Sequence, residues 1–199
     1  MMFRRTRSER RLIVGLSHPA VAQTFSGEEV SALLKAGARP NTILPPDAWS
    51  FLMHASMWGN ADAARVLLEA GADPNGNLVR AAVPLHLAAQ NRHLDVIHLL
   101  IEYGADVNMQ DRQGETAMFP ALTTNETRRS SIPEALVRAG IDPDIRNKHG
   151  MTAFEAMRHW NSSLLEGRIS DYQTQSEFIQ ERGLFLADVR RVEDLFRRP

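Results

Sequence analysis

Apolar residues recur three and four positions apart in several short segments of the chain, and each of these segments is closed by a glycine. The segment Leu33-Leu34-Lys35-Ala36-Gly37-Ala38-Arg39-Pro40-Asn41 returns from Leu67 and from Leu100, and in a weaker form from Leu136. The closing glycines are 34, 33 and 36 residues apart, at Gly37, Gly71, Gly104 and Gly140. A fixed period of this length predicts a stack of repeated units.

Each unit is predicted to consist of two helices. Glycine adopts the left-handed conformation without a steric penalty, so each closing glycine indicates the end of a helix. Upstream, Pro84-Leu85-His86-Leu87-Ala88-Ala89 has a proline suited to a first helical turn and alanines that allow close packing. Because one helix pair cannot bury both of its faces, neighbouring units must stack into a continuous core.

The best copy of the unit resembles the ankyrin repeat. That family joins a T-P-L-H-x-A inner helix to a G-A-D-x-N outer-helix end, and this chain has Val83-Pro84-Leu85-His86-Leu87-Ala88 and Gly104-Ala105-Asp106-Val107-Asn108. The resemblance implies an all-α ankyrin-repeat solenoid of four to five helix-turn-helix units with short β-turn fingers. The apolar spacing from Leu184 to Phe196 predicts a final helix that caps the stack.

The chain is therefore expected to divide into three parts. The predicted divisions are a basic N-terminal arm or helix at 1–16, the repeats at 17–160 (17–41, 42–75, 76–108, 109–144 and a degenerate 145–160), and a helical C-terminal cap at 161–199.

Composition excludes several classes of function. The net charge of -1 lacks the basic excess of a dedicated nucleic-acid binder. Zero cysteines exclude disulfides, thiolate metal sites and thiol nucleophiles. The sequence has no apolar run long enough for a membrane helix. A basic start precedes the five apolar or small residues 12–16, a stretch shorter than an export signal needs. We expect a cytoplasmic protein, with export as the open alternative.

The individual polar residues indicate structural roles. The sequence has no catalytic motif of the metalloprotease, hydrolase or nucleotide-binding kind, so we expect no enzyme, no cofactor and no metal site. By the resemblance, the His86 ring bonds to neighbouring backbone. Ser26 with Glu29, and Ser131 with Glu134, have the spacing of capping boxes. The aspartates that return after each capping glycine are predicted turn formers: Asp73, Asp106 and Asp142.

The resemblance also implies where a partner binds. In ankyrin-like stacks the turns before the inner helices, with the exposed sides of those helices, form a concave face. Carried over to this sequence, the predicted contact residues are Asp47, Trp49, Met57, Trp58, Arg80, Gln90, Asn91, Arg112, Gln113, Glu115, Thr123, Thr124, Lys148, His149, His159 and Trp160.

These positions include all three tryptophans of the chain. Tryptophan and arginine dominate the energetics of protein interfaces, so the pattern favours a protein ligand. Arg80, Arg112 and Lys148 form a basic row that suits a partner with an acidic patch. The alternative is that the indoles pack against the chain itself, beside its caps.

We therefore expect a non-enzymatic module, monomeric when free, that binds a dedicated protein and inhibits or stabilises it. A toxin or an enzyme is the expected partner, as for a bacterial immunity-type inhibitor, and neither a small-molecule substrate nor nucleic acid is expected. The alternative is an enzyme or a nucleic-acid-contacting protein that uses the flanks, residues 1–16 and 161–199.

Overall fold

The repeated sequence folds into stacked pairs of helices. The computed structural model describes residues 7, 8, 10, 11, 16, 25–44, 49–76, 83–123, 131–159 and 190–196. Within them the helices are α1 Gly27–Lys35, α2 Phe51–Trp58, α3 Ala61–Glu69, α4 Pro84–Gln90, α5 Leu94–Glu102, α6 Met118–Thr123 and α7 Ile132–Arg138. Residues 153–159 and 190–196 are also helical and are called α8 and α9. Two short strands, β1 Ile43–Leu44 and β2 Trp49–Ser50, pair antiparallel.

The helices form two layers. The inner helices α2, α4 and α6 pack on one another in order, and the outer helices α1, α3, α5 and α7 do the same. Within each unit an inner helix also packs on its own outer helix, as α2 does on α3. This is the all-α solenoid that the period predicts, and the strand pair is a finger that precedes α2.

The outer helices end as the sequence predicts. All four closing glycines have positive φ, at +95° for Gly37, +84° for Gly71, +83° for Gly104 and +86° for Gly140. At the end of α1 the Ala38 amide donates to the Leu33 carbonyl at 3.1 Å, and the Gly37 amide donates to Leu34 at 2.9 Å. These paired bonds use carbonyls that the end of a helix would otherwise leave without partners.

A ladder of side-chain bonds joins the turns of successive units. The Asn41 Oδ1 accepts from the Asp73 amide at 2.9 Å, and the Asn75 Oδ1 accepts from the Asp106 amide at 2.7 Å. The Asn108 Oδ1 likewise accepts from the Asp142 amide at 2.7 Å. Each of the three aspartates also accepts from the amide two residues ahead, which confirms that they form turns.

His86 has the structural role that the resemblance implies. Its Nε2 lies 2.7 Å from the Glu115 carbonyl oxygen and donates to it across the boundary between two units. Burial lowers the pKa of His86, against the opposing effects of that bond and of the nearby Asp111 and Glu115 carboxylates. Its Nδ1 is buried without a hydrogen-bond partner. The neutral ring is therefore the form that fits this site.

One of the two predicted capping boxes is confirmed and the other is wrong. The Ser26 hydroxyl accepts from the Glu29 amide, and the Glu29 carboxylate accepts from the Ser26 amide at 3.0 Å. Ser131 makes no side-chain cap bond, because its backbone has ψ near 7° in place of the extended conformation of a capping serine. The Glu134 carboxylate instead pairs with Arg191 of α9.

Both flanks pack on the stack where the structure describes them. Ser8 is helical and its hydroxyl donates to the Ala36 carbonyl at 3.2 Å, while Leu16 is fully buried. At the other end Phe196 lies edge-on to Phe154, with ring centroids 6.0 Å apart. The α9 helix thus packs against α8 at the C-terminal end of the described stack. The domain boundaries that the sequence suggests remain predictions.

Candidate interaction surface

The predicted contact residues differ in how far the structure exposes them. Asp47, Arg80, Thr124, Trp160 and the Thr123 side chain lie outside the described residues. The exposed ones are Gln90, Arg112, Gln113, Lys148, His149 and His159. The half-buried ones are Trp49, Met57, Trp58, Asn91 and Glu115.

Trp49 and Trp58 flank a single inner helix, α2. Trp49 belongs to β2, just before the helix, and its ring centroid lies 5.3 Å from that of His54 with a 53° tilt. His54 and Trp58 are four residues apart, so they lie on the same side of α2. His54 is buried, whereas both tryptophans retain exposed surface. We call Trp49, His54, Met57, Trp58 and Asn91 the aromatic patch.

The indole of Trp58 has its polar atom turned inward. Its Nε1 is buried and has no hydrogen-bond partner, although the residue as a whole is only half-buried. The polar atom of the ring is therefore hidden from solvent. Buried tryptophans usually direct the N–H towards a partner or towards water. The ring thus presents no polar atom to solvent.

Polar contacts fix the rest of the aromatic patch across the boundary between α2 and α4. The Asn91 side-chain amide donates to the Met57 sulfur at 3.1 Å and to the Leu87 carbonyl at 2.9 Å. The His93 Nε2 lies 3.1 Å from the Met57 carbonyl oxygen. These bonds hold the C-terminal end of α2 against the next unit, so Trp58 lies at a supported helix end.

A second group of predicted residues meets at the finger turns. The Lys148 amide donates to the Gln113 carbonyl at 2.8 Å, which joins two successive fingers edge to edge. Arg112, Gln113, Lys148 and His149 are all exposed there. We call these four residues the finger patch. It contains the two described members of the predicted basic row, Arg112 and Lys148.

Glu115 contributes to structure at the edge of the finger patch. Its carboxylate accepts from the Asn147 side-chain amide at 3.2 Å, and its amide donates to Asp111 at 2.9 Å. Asn147 is buried and also accepts from the His149 and Met151 amides. The side chain of Glu115 thus helps to hold the fingers and is only in part available to a partner.

A charged pair supports the last finger. Arg146 binds Glu155 through an exposed ion pair at 2.7 Å. The bond from the Thr152 amide, followed by Arg146, lowers the pKa of the Glu155 carboxyl. Glu155 therefore stays ionised, and the net charge of the pair adds nothing to the basic finger patch.

Sequence reasoning overlooked three residues that shape the surface: His54, His93 and Asn147. His54 lies four residues before Trp58 in the sequence, and that spacing is the signal that could have found it. Asn147 occupies the position in its unit that Asp111 occupies in the preceding one, and both side chains accept from amides two and four residues ahead. His93 precedes α5 as its N-cap residue, and its contact with Met57 spans two units.

The described residues contain no group of three or more acidic or histidine side chains placed to hold a metal ion. The described helices also include none with the length and apolar character needed to cross a bilayer.

Known families match two stretches of the chain. A family described as "Ankyrin repeats (many copies)" matches residues 85–128, and one described as "Ankyrin repeat" matches residues 48–77. The matched stretches include α2, α3, α4 and α5, on which the aromatic patch is built.

Individual relatives match over longer stretches. The chain is 32% identical over 142 residues, 68% of its length, to the E3 ubiquitin-protein ligase KEG of Arabidopsis thaliana, of which the match covers 9%. It is 37% identical over 100 residues, or 50% of the chain, to an ankyrin repeat-containing protein of Treponema pallidum, covering 34% of it. It is 35% identical over 103 residues, or 51% of the chain, to ankyrin repeat and SOCS box protein 6 of Homo sapiens, covering 24% of it. The chain thus spans about a third or less of each of these relatives.

Proposed function

The chain is an ankyrin-repeat protein, a protein–protein interaction module, and we propose that it binds one dedicated partner protein through its aromatic patch and its finger patch. Binding inhibits or stabilises the partner. We propose that the partner is a toxin or an enzyme and that the two proteins meet in the cytoplasm. The free protein is proposed to be a monomer without enzymatic activity.

The observation that carries this proposal is the orientation of Trp58. Trp58 is half-buried and its indole N–H is already buried, so a second surface that covers the residue takes no polar ring atom out of water. Covering it removes apolar area from water, which is favourable by about 25 cal/mol per Å². Trp49 presents a second half-buried ring near the other end of the same helix.

Rigidity supports the same function. The contacts from Asn91 and His93 to Met57 fix the end of α2 before a partner arrives. A preorganised surface loses little side-chain freedom on binding, so more of the contact free energy appears as affinity. A partner whose site is itself rigid, such as an enzyme cleft, is best matched by a surface of this kind.

The charge of the finger patch indicates the charge that its partner surface should have. Arg112, Lys148 and His149 are exposed on adjacent turns. Complementary charges act mainly on the association rate and on the register of a complex, so an acidic area on the partner would meet these turns. The described finger residues thus favour an acidic area on the surface of the partner.

The test is affinity capture followed by titration of the purified partner. We expect Trp49→Ala and Trp58→Ala each to weaken binding about thirtyfold, the loss typical of an interface hot spot of about 2 kcal/mol. Tyr103→Ala is the matched control, because it removes a half-buried aromatic ring at the end of outer helix α5. Circular dichroism and urea unfolding check that each variant is folded.

A folded double variant that binds the partner as tightly as the unchanged protein would refute the proposed surface. Equal losses for Tyr103→Ala and the two tryptophan variants would refute it as well, because they would indicate a general loss of structure.

A further inference from the structure

The first unit of the stack differs from the following units in the charge of its outer edge. Lys35 and Arg39 are exposed at the end of α1. The corresponding positions of the next two units are occupied by acidic side chains, all exposed: Glu69 and Asp73, then Glu102 and Asp106. The turn after each outer helix is therefore basic in the first unit and acidic in the second and third.

Three arginines extend this basic edge. Arg7, Arg10 and Arg11 are helical and exposed, and their spacing of three and four residues places them on one side of the helix. Ser8, next to Arg7, donates to the carbonyl of Ala36, next to Lys35. That bond brings the arginines and Lys35 to the same end of the stack.

The backbone that carries these arginines is anchored, and the part of the chain that the structure describes offers them no ion pair. Ser8 and Leu16 of the same N-terminal stretch are buried, so this stretch is anchored to the repeats. No salt bridge involves Arg7, Arg10, Arg11 or Lys35 among the described residues. Four positive charges that no described carboxylate pairs with create a local potential that attracts an anionic ligand.

We propose that Arg7, Arg10, Arg11 and Lys35 form a second contact site, which binds a short acidic segment of a protein. Guanidinium groups pair with carboxylates through two parallel hydrogen bonds, so three arginines on one helical side suit a run of glutamates or aspartates. The inference rests on the proposed protein-binding function for the class of its ligand and adds a site outside the aromatic and finger patches.

Two other polyanions fit the surroundings less well. A bilayer requires apolar side chains beside the charges, and Leu16, the apolar residue that the structure describes within residues 1–24, is turned into the stack. A nucleic-acid duplex extends well beyond four charges, and the Asp73 amide is bonded to Asn41, only two residues after Arg39. The nearby acidic edge of the second unit would repel a continuing phosphate backbone, whereas a short acidic peptide can end before it.

The experiment titrates the full chain with a fluorescent oligo-glutamate peptide and follows anisotropy. We expect binding at low salt that weakens as sodium chloride is added, because exposed charge pairs are screened. The triple variant Arg7→Gln, Arg10→Gln, Arg11→Gln should bind about tenfold more weakly, the combined effect of three exposed ion pairs.

A matched control removes three exposed arginines from other places in the fold. Arg65→Gln, Arg138→Gln and Arg190→Gln together change the net charge by the same amount, and we expect them to leave peptide binding within about twofold of the unchanged protein. Equal weakening by both triple variants would overturn the site, since net charge alone would then explain the binding.

Parallel titrations test the other ligands. Tighter binding to duplex DNA, or to vesicles of phosphatidylserine and phosphatidylcholine, than to the peptide would overturn the acidic-protein assignment. The Trp49→Ala, Trp58→Ala double variant separates the two proposals: it should bind the peptide normally even though it fails to bind the partner. Loss of peptide binding in that variant would contradict an independent site.

Discussion

Gly59 lies beside the aromatic patch, and its replacement by alanine tests how much the end of α2 contributes to the stability of the stack. Gly59 follows Trp58 at the end of α2 with φ of +71°. A Cβ atom at this position would lie 2.3 Å from the His93 Nδ1 and 2.6 Å from its Cε1. No real contact is that short, so in Gly59→Ala the His93 ring must move away.

The expected cost is the sum of two effects. Alanine at positive φ costs about 1–2 kcal/mol. Displacing the ring also removes the hydrogen bond from His93 to the Met57 carbonyl, which contributes about 0.5–1.5 kcal/mol. We therefore expect Gly59→Ala to lower the free energy of unfolding by about 1.5–3.5 kcal/mol, and Tm by about 3–14 °C.

Urea unfolding followed by circular dichroism measures this cost, and Gly71→Ala is the control. Gly71 has φ of +84°, and a Cβ there would have no atom within 4 Å. The control thus isolates the backbone effect, and the difference between the two variants isolates the displacement of His93. Equal destabilisation by both substitutions would refute the clash. If the clash is real, Gly59→Ala should also cost less in a chain that carries His93→Ala, because the ring is then absent. Full additivity of the two substitutions in the double variant would therefore refute it as well.

Two further predictions concern contacts between units. The pKa of His86 lies below its ordinary 6.5 in the folded protein because of burial, so the unfolded chain binds more protons and stability should fall as pH drops below about 6.5. His86→Gln should flatten the decline of Tm between neutral and mildly acid pH, and an unchanged decline would show that His86 is not its source. Asn75→Ala removes the bond to the Asp106 amide and should cost about 1 kcal/mol in urea unfolding. His98→Ala, an exposed change on α5, should cost less than half of that, and equal costs would contradict the ladder's contribution.

The sequence predicted the repeat architecture because the responsible residues act locally. The closing glycines set the backbone conformation at the ends of the outer helices, and the aspartates that follow them accept from amides two residues ahead. His86 could also be placed correctly, since the resemblance supplied its role. Features of this kind repeat with the period and can be predicted from the sequence alone.

Contacts across units were harder to predict. Ser131 and Glu134 have the spacing of a capping box, but Arg191 lies far along the chain and draws Glu134 into an ion pair. Similarly, the resemblance predicted positions on the concave face for Trp49 and Trp58, whereas the tilted contact of Trp49 with His54 and the inward N–H of Trp58 depend on packing. The contact-residue assignment as a whole remains a prediction.

The asparagine ladder has a consequence for how the molecule would respond to mechanical pulling. Each hydrogen bond of the ladder joins only two adjacent turns, as Asn41 joins Asp73 and Asn75 joins Asp106. Because none of these bonds spans more than two units, they do not distribute a pulling force over the whole array. Tension applied between the termini should therefore unfold the units one after another from an end, and the force–extension curve should show a series of small steps.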